Sequence, residues 1–133
     1  MAQFDNSKID QDLTRIIEEI RVNYGQAILR DGTLLTAYFC DLAPRLKKER
    51  ILLEALIAIN GNENLVDVVC ASVDEQYRVL SNTVLSLNTQ RGISVDVATD
   101  FCNLFFKGIG GVAQYKPVQS TKNEVRKQPI NST

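Results

Sequence analysis

Histidine and tryptophan are absent from this 133-residue chain, methionine occurs once, and there are only three prolines and three cysteines. Without histidine the chain lacks the usual general base near neutral pH and the commonest zinc ligand. Ser–His and Cys–His nucleophile pairs are therefore impossible within one chain. The cysteines, Cys40, Cys70 and Cys102, are odd in number and far apart, with none of the CxxC spacing of a zinc site. A disulfide framework is not expected, and reduced thiols fit a cytoplasmic protein. Each cysteine falls among apolar residues at helical spacing and reads as a small buried hydrophobe.

Long apolar runs are missing as well. The longest stretch, Ala55 to Ile59 with Ile51 to Leu53 just before it, is far too short to span a bilayer. The opening residues carry neither an apolar run nor a small-residue cleavage site, so no secretory signal is read there. Carboxylates are plentiful but scattered, with no calcium-loop spacing. Glu18-Glu19 and Asp74-Glu75 are neighbours, yet neighbours on a helix point about 100° apart and do not converge on one substrate atom. The glycine-rich stretch Gly108-Ile109-Gly110-Gly111 follows a helix and has no Gly-Lys-Ser/Thr after it, so it reads as a helix-ending loop. No catalytic residue, metal or cofactor is expected.

What is present is ordinary globular material: 44% apolar and 23% charged residues with a net charge of −1. A chain of this size buries roughly two thirds of its unfolded surface and needs no staple to fold. Charge is uneven. From residue 111 onward Lys116, Lys122, Arg126 and Lys127 face only Glu124, a net of +3 that leaves −4 for the rest. That basic part is too short to form a footprint for duplex DNA.

Apolar residues at Ile9, Leu13, Ile16, Ile17, Ile20 and Tyr24 keep one face of a first helix apolar, with Ser7 and Asp10 as a capping box. Gly25 breaks it, and Gln26 to Leu29 add a further turn. Asp31-Gly32-Thr33 starts a helix holding Leu34, Leu35, Tyr38, Phe39 and Leu42. Pro44 limits that helix and suits the first turn of the next, which runs to about Asn60 with Gly61 as its C-cap. From Ile51 to Ile59 only Glu54 is polar, which places this helix at the centre of the bundle. Asn62 caps a short helix through Leu65 to Val69. Ser72 to Glu75 form a capping box that either restarts a helix or sits inside a continuous one; Tyr77, Leu80, Val84 and Leu87 then line one face, and Arg91-Gly92 closes it. Ser94 caps the last helix, where Val97, Ala98, Phe101, Cys102, Leu104 and Phe105 turn inward. Beyond Gly111 the pattern fades into a polar stretch with prolines.

The chain is thus expected to be all-α: a compact bundle of about five to six helices over residues 1–111, central near residues 45–60. Residues 112–133 are expected to be a flexible polar and basic tail. Two features stand out. Arg45, Lys47, Lys48 and Arg50 crowd the positive end of a helix dipole, where each cation is unfavourable by up to about 1 kcal/mol. Free N–H groups beside clustered cations suit an anion: phosphate, an acidic peptide or a nucleic-acid backbone. Asp41 and Glu49 are placed to neutralise part of that cluster. The second feature is apolar surface off the main stripes at Val22, Phe106 and Ile109, which fits either a partner face or a fuller wrapping of the core.

The order Tyr24-Gly25, Ile28-Leu29, Leu34-Leu35, Asp41-Leu42-Ala43-Pro44 and Arg50 with Leu52-Leu53, followed by Gly92-Ile93-Ser94, Ala98 and Gly108, resembles a small helical domain of bacterial multidomain proteins. There it is appended to signalling, chaperone-like or repeat modules. The resemblance covers residues 20–110 and implies an interaction or regulatory module without catalytic residues to carry over. The expected function is accordingly a non-catalytic protein–protein interaction or regulatory module in the cytoplasm, with a protein partner, homo-oligomerisation open and no membrane. The alternative is a nucleic-acid-associated regulator using residues 45–50 and the basic tail.

Overall fold

A computed structural model describes residues 9–117, and seven helices with no strand make up these residues. The Ser7 cap and residues 118–133 of the expected tail lie outside the described residues. The first helix, α1 (Asp12–Tyr24), buries Leu13, Ile16, Ile17 and Ile20, the stripe its spacing demands. Its first turn is met by Asp10, whose carboxylate accepts the Asp12 N–H at 2.8 Å. Gly25, at φ +89°, ends it. One further turn, α2 (Gln26–Arg30), leads to α3 (Gly32–Leu42), capped by Asp31, which accepts the Leu34 N–H at 3.1 Å.

Pro44 does stop α3, but it does not open the next helix. Residues 43–46 form a turn closed by the Leu46 N–H on the Ala43 carbonyl at 3.1 Å, and α4 (Lys47–Ala58) begins beyond it. Gly61 likewise is no C-cap. Asn60 takes the left-handed conformation instead, at φ 61°, and Gly61 opens α5 (Gly61–Asp67). The Asn62 side chain does not cap α5. It is buried and donates to the Leu29 carbonyl at 2.9 Å, tying α5 to α2. Ser72 caps α6 (Val73–Arg91) by accepting the Glu75 N–H at 3.2 Å, and Gly92 closes that helix at φ +71°. Ser94 caps α7 (Val95–Gly108) by accepting the Val97 N–H at 3.3 Å. The count exceeds five or six because α2 and α5, of five and seven residues, stand as separate elements.

As expected for a central helix, α4 packs against four others: α3, α5, α6 and α7. It is not wrapped on all sides, however. Leu52, Leu53, Ala55 and Leu56 are buried, while Ile51 is 58% exposed. The mostly apolar run is explained by a broad buried face plus exposed Ile51 and Ala58. The most heavily buried helix is α7, in which Ala98, Thr99, Phe101, Cys102, Phe105, Phe106 and Gly108 all lie inside. It packs against α1, α6 and α4. Where it crosses α1 there is room only for glycine. A Cβ on Gly108 would fall 2.8 Å from the Ile17 Cβ and 2.9 Å from the Thr14 carbonyl oxygen. Thr14 Oγ1 donates to the Leu104 carbonyl at 2.8 Å, and Arg21 Nε donates to the Gly108 carbonyl at 3.2 Å.

The described chain beyond α7 is not loose. Tyr115 is buried, and residues 112–115 are pinned by side chains of α6 and α7. The bundle therefore reaches past residue 111, because the polar residues that fix this segment leave no periodic signature of their own.

Candidate functional site

The four basic residues are brought near one another but are not left facing a common space. Arg45 lies in the turn before α4, and its Nη2 meets Asp12 Oδ2 of α1 at 2.7 Å. Arg50 Nη1 meets Glu54 Oε2, one helical turn on, at 3.0 Å. Lys47 is exposed and Lys48 half-buried. The two arginines of the cluster are thus answered by the carboxylates of Asp12 and Glu54. Glu49, expected among them, is only 4% exposed and accepts the Asp10 N–H at 2.9 Å. A buried carboxylate persists where it accepts a hydrogen bond, and this one fastens the start of α1 to α4.

The off-stripe apolar residues divide. Phe106 and Ile109 are fully buried and belong to the core, whereas Val22 is 70% exposed. The cysteines divide too: Cys102 is buried, Cys40 half-buried and Cys70 exposed, so the expectation of three buried thiols fails at Cys70. That residue follows α5 in a turn, where apolar neighbours do not guarantee burial. Burial pushes the Cys102 thiol above the ordinary range for cysteine. Glu18 and Glu19 each lie beside an arginine of α1 (Arg21 at 3.7 Å, Arg15 at 3.8 Å), and Glu75 pairs with Arg78. That hydrogen-bonded pairing holds the Glu75 carboxyl below its usual range. Among the described residues, no three His, Cys, Asp or Glu side chains come together to hold a metal, and no helix is long and apolar enough to cross a membrane.

Ile51, Val73, Tyr77, Leu85 and Val112 are exposed elsewhere, and a further group of exposed apolar residues gathers at α3. Leu35 and Phe39 bury one face of that helix. Leu34, Tyr38 and Leu42, four residues apart, form a second stripe beside it. Tyr38 is half-buried and stacks on Tyr24 at the end of α1, ring centroids 4.0 Å apart and planes 10° from parallel. Tyr24, Leu34 and Leu42 are 47, 39 and 38% exposed. Asp41 is the only charged residue of α3. The sequence holds the signal for this surface in the four-residue spacing, but which stripe faces out depends on what α3 packs against.

A groove of about 370 Å³ runs beside α6, lined by apolar Ile59, Val68 and Val79 and by polar and charged residues that include Asp67, Glu75 and Arg78. Elsewhere on α6, Gln76 is buried and fully engaged. Its Nε2 donates to the carbonyls of Val69 (2.9 Å) and Ala71 (3.0 Å), and its Oε1 accepts the N–H groups of Val112 (3.0 Å) and Ala113 (3.1 Å). On α7, Asn103 grips Tyr115 twice, donating to its carbonyl at 3.0 Å and accepting its N–H at 2.9 Å. Neither residue stands out in the sequence, because both are recognisable only by partners distant along the chain.

No protein-family model, curated protein or solved structure matches this chain.

Proposed function

We propose that this chain is a non-catalytic interaction module that seats an amphipathic helix of a partner protein on the surface formed by Tyr24, Leu34, Tyr38 and Leu42. The observation that carries the reading is the stacked, part-exposed tyrosine pair flanked by two part-exposed leucines. Interface cores are rich in aromatics and poor in charge, and α3 offers both properties on its outer side. The stripe from Leu34 to Leu42 is about 12 Å long, which matches roughly two turns of an apposed helix with apolar residues at i, i+4 and i+7. The resemblance to a domain appended to signalling and chaperone-like modules supports the same reading. Arg45 and Arg50, already held by Asp12 and Glu54, support an anion site less well.

The test is affinity capture from the source cells with the wild-type chain and with a Tyr24→Glu/Leu34→Glu variant, each checked for helical circular dichroism. A protein retained by the wild type and reduced at least tenfold by the variant is expected. Undiminished capture by the folded variant removes the α3 surface from consideration. Capture of nucleic acid that weakens steeply with salt, and that Lys47→Glu/Lys48→Glu abolishes, replaces this reading with the nucleic-acid one.

A further inference from the structure

Residues 112–116 are bound by the rest of the fold as a peptide is bound by a receptor. A residue directs its N–H and C=O to the same side only when extended, as in the hydrogen-bonded pairs of an antiparallel ladder. The two bonds between Asn103 and Tyr115 are of that kind. Gln76 accepts two successive N–H groups at the other end of the segment. Between them the two carboxamides, both neutral, read backbone and not side chains. The large inserted side chain is Tyr115, buried with its ring 5.6 Å from that of Tyr77, and half-buried Ala113 packs against the core beside it. Val112 is 71% exposed, and Gln114 and Lys116 also face out. An open cavity of about 450 Å³ flanks the segment, bounded on its far side by Gln11, Leu104 and Lys107. The segment thus lies at the surface of the bundle, with Tyr115 as its buried anchor.

We propose that the cleft between α6 and α7 is a peptide-recognition site, and that residues 112–116 are its resident ligand, held in cis. Its ligand class follows from the groups that make the contacts. It is a peptide of tolerant sequence, extended at one aromatic residue that lies three positions after the first of two successive N–H groups turned onto Gln76. A partner carrying such a segment competes with the chain's own. The tethered copy has the advantage of an effective concentration on the order of millimolar, so the cleft opens to a second peptide only when the resident one is weakened or the newcomer is abundant. This site is built on other elements than the α3 surface, and it stands or falls independently of it.

The test uses the full chain with Tyr115→Ala and a fluorescent peptide spanning residues 110–118, followed by anisotropy. The variant is expected to bind the peptide at least tenfold more tightly than the wild type. Adding Asn103→Ala, or replacing the tyrosine of the peptide with alanine, is expected to abolish that gain. A folded Tyr115→Ala chain that binds no better than the wild type, or that binds the tyrosine-free peptide equally, overturns the proposal. Should Tyr115→Ala fail to fold, hydrogen exchange on the wild type decides. Amides of Val112, Ala113 and Tyr115 exchanging at least a hundredfold faster than those of Phe101 to Phe105 support a releasable segment. Equal protection overturns it.

Discussion

Helix α7 is covered in two contrasting ways. Against α1 it is joined by close packing, with Gly108 pressed on Ile17 and Thr14 where a side chain has no room. Against the segment that follows it, the joint is made by the carboxamides of Gln76 and Asn103. Water cannot replace a lost packing contact, but it can replace a lost hydrogen bond when the groups become exposed. The first contact is therefore expected to fail only with the whole fold, whereas the second, despite the buried Tyr115, is the one proposed to open by itself.

The largest expected effect tests the packed side. Gly108→Val places new atoms against the Ile17 Cβ and the Thr14 backbone, neither of which is a flexible side-chain end. Overpacking at such a site costs about 3 kcal/mol. Urea denaturation is expected to show that loss as a lower midpoint with an unchanged slope. An unchanged midpoint means that α1 and α7 do not cross at Gly108.

A smaller effect is expected on the hydrogen-bonded side. Gln76→Leu removes the partner of two carbonyls and two N–H groups, which would be severe if all stayed buried. Because residues 112–115 can lift and rehydrate, the expected cost is about 1–2 kcal/mol. Exchange at Val112 and Ala113 should become unprotected while α7 keeps its protection. A cost equal to that of Gly108→Val erases the distinction between the two joints.

The same contrast governs what could be read from sequence. Local rules place the caps at Asp31, Ser72 and Ser94, the stop at Gly92 and the apolar stripe of α1, because each depends on residues within a turn or two. Contacts across the chain were not legible. Sequence proximity groups Glu49 with its basic neighbours, yet its partner is the backbone of Asp10, 39 residues away. Arg45 was read with Lys47, yet it turns to Asp12 of α1, 33 residues earlier. Gln76 and Asn103 carry no signal in the sequence, and so the segment they hold reads there as part of a tail. On α3 the spacing shows the residues of the outer stripe but not their exposure, since two adjacent apolar stripes look alike until α1 and α4 choose between them.

The smallest expected effect compares the same two regions through their thiols. Cys102 is buried in α7, while exposed Cys70 lies between Val69 and Ala71, whose carbonyls Gln76 holds. In the unfolded chain a thiol ionises near pH 8.5, whereas folded Cys102 keeps its proton well beyond that because burial penalises the thiolate. Above about pH 8.5 the unfolded state thus binds fewer protons than the folded one, and stability falls as pH rises. Cys102→Ala is expected to flatten that alkaline fall, measured as urea midpoints between about pH 8 and 10. A slope identical to the wild type would mean that Cys102 is not the group responsible. A thiol reagent near neutral pH adds a kinetic reading. Cys70 should react at once, and Cys102 only at the rate of global unfolding. In Gln76→Leu the second rate should rise only as far as the loss of global stability requires, because releasing residues 112–115 does not uncover the packed side of α7. Prompt modification of Cys102 in that variant would show that the two joints open together.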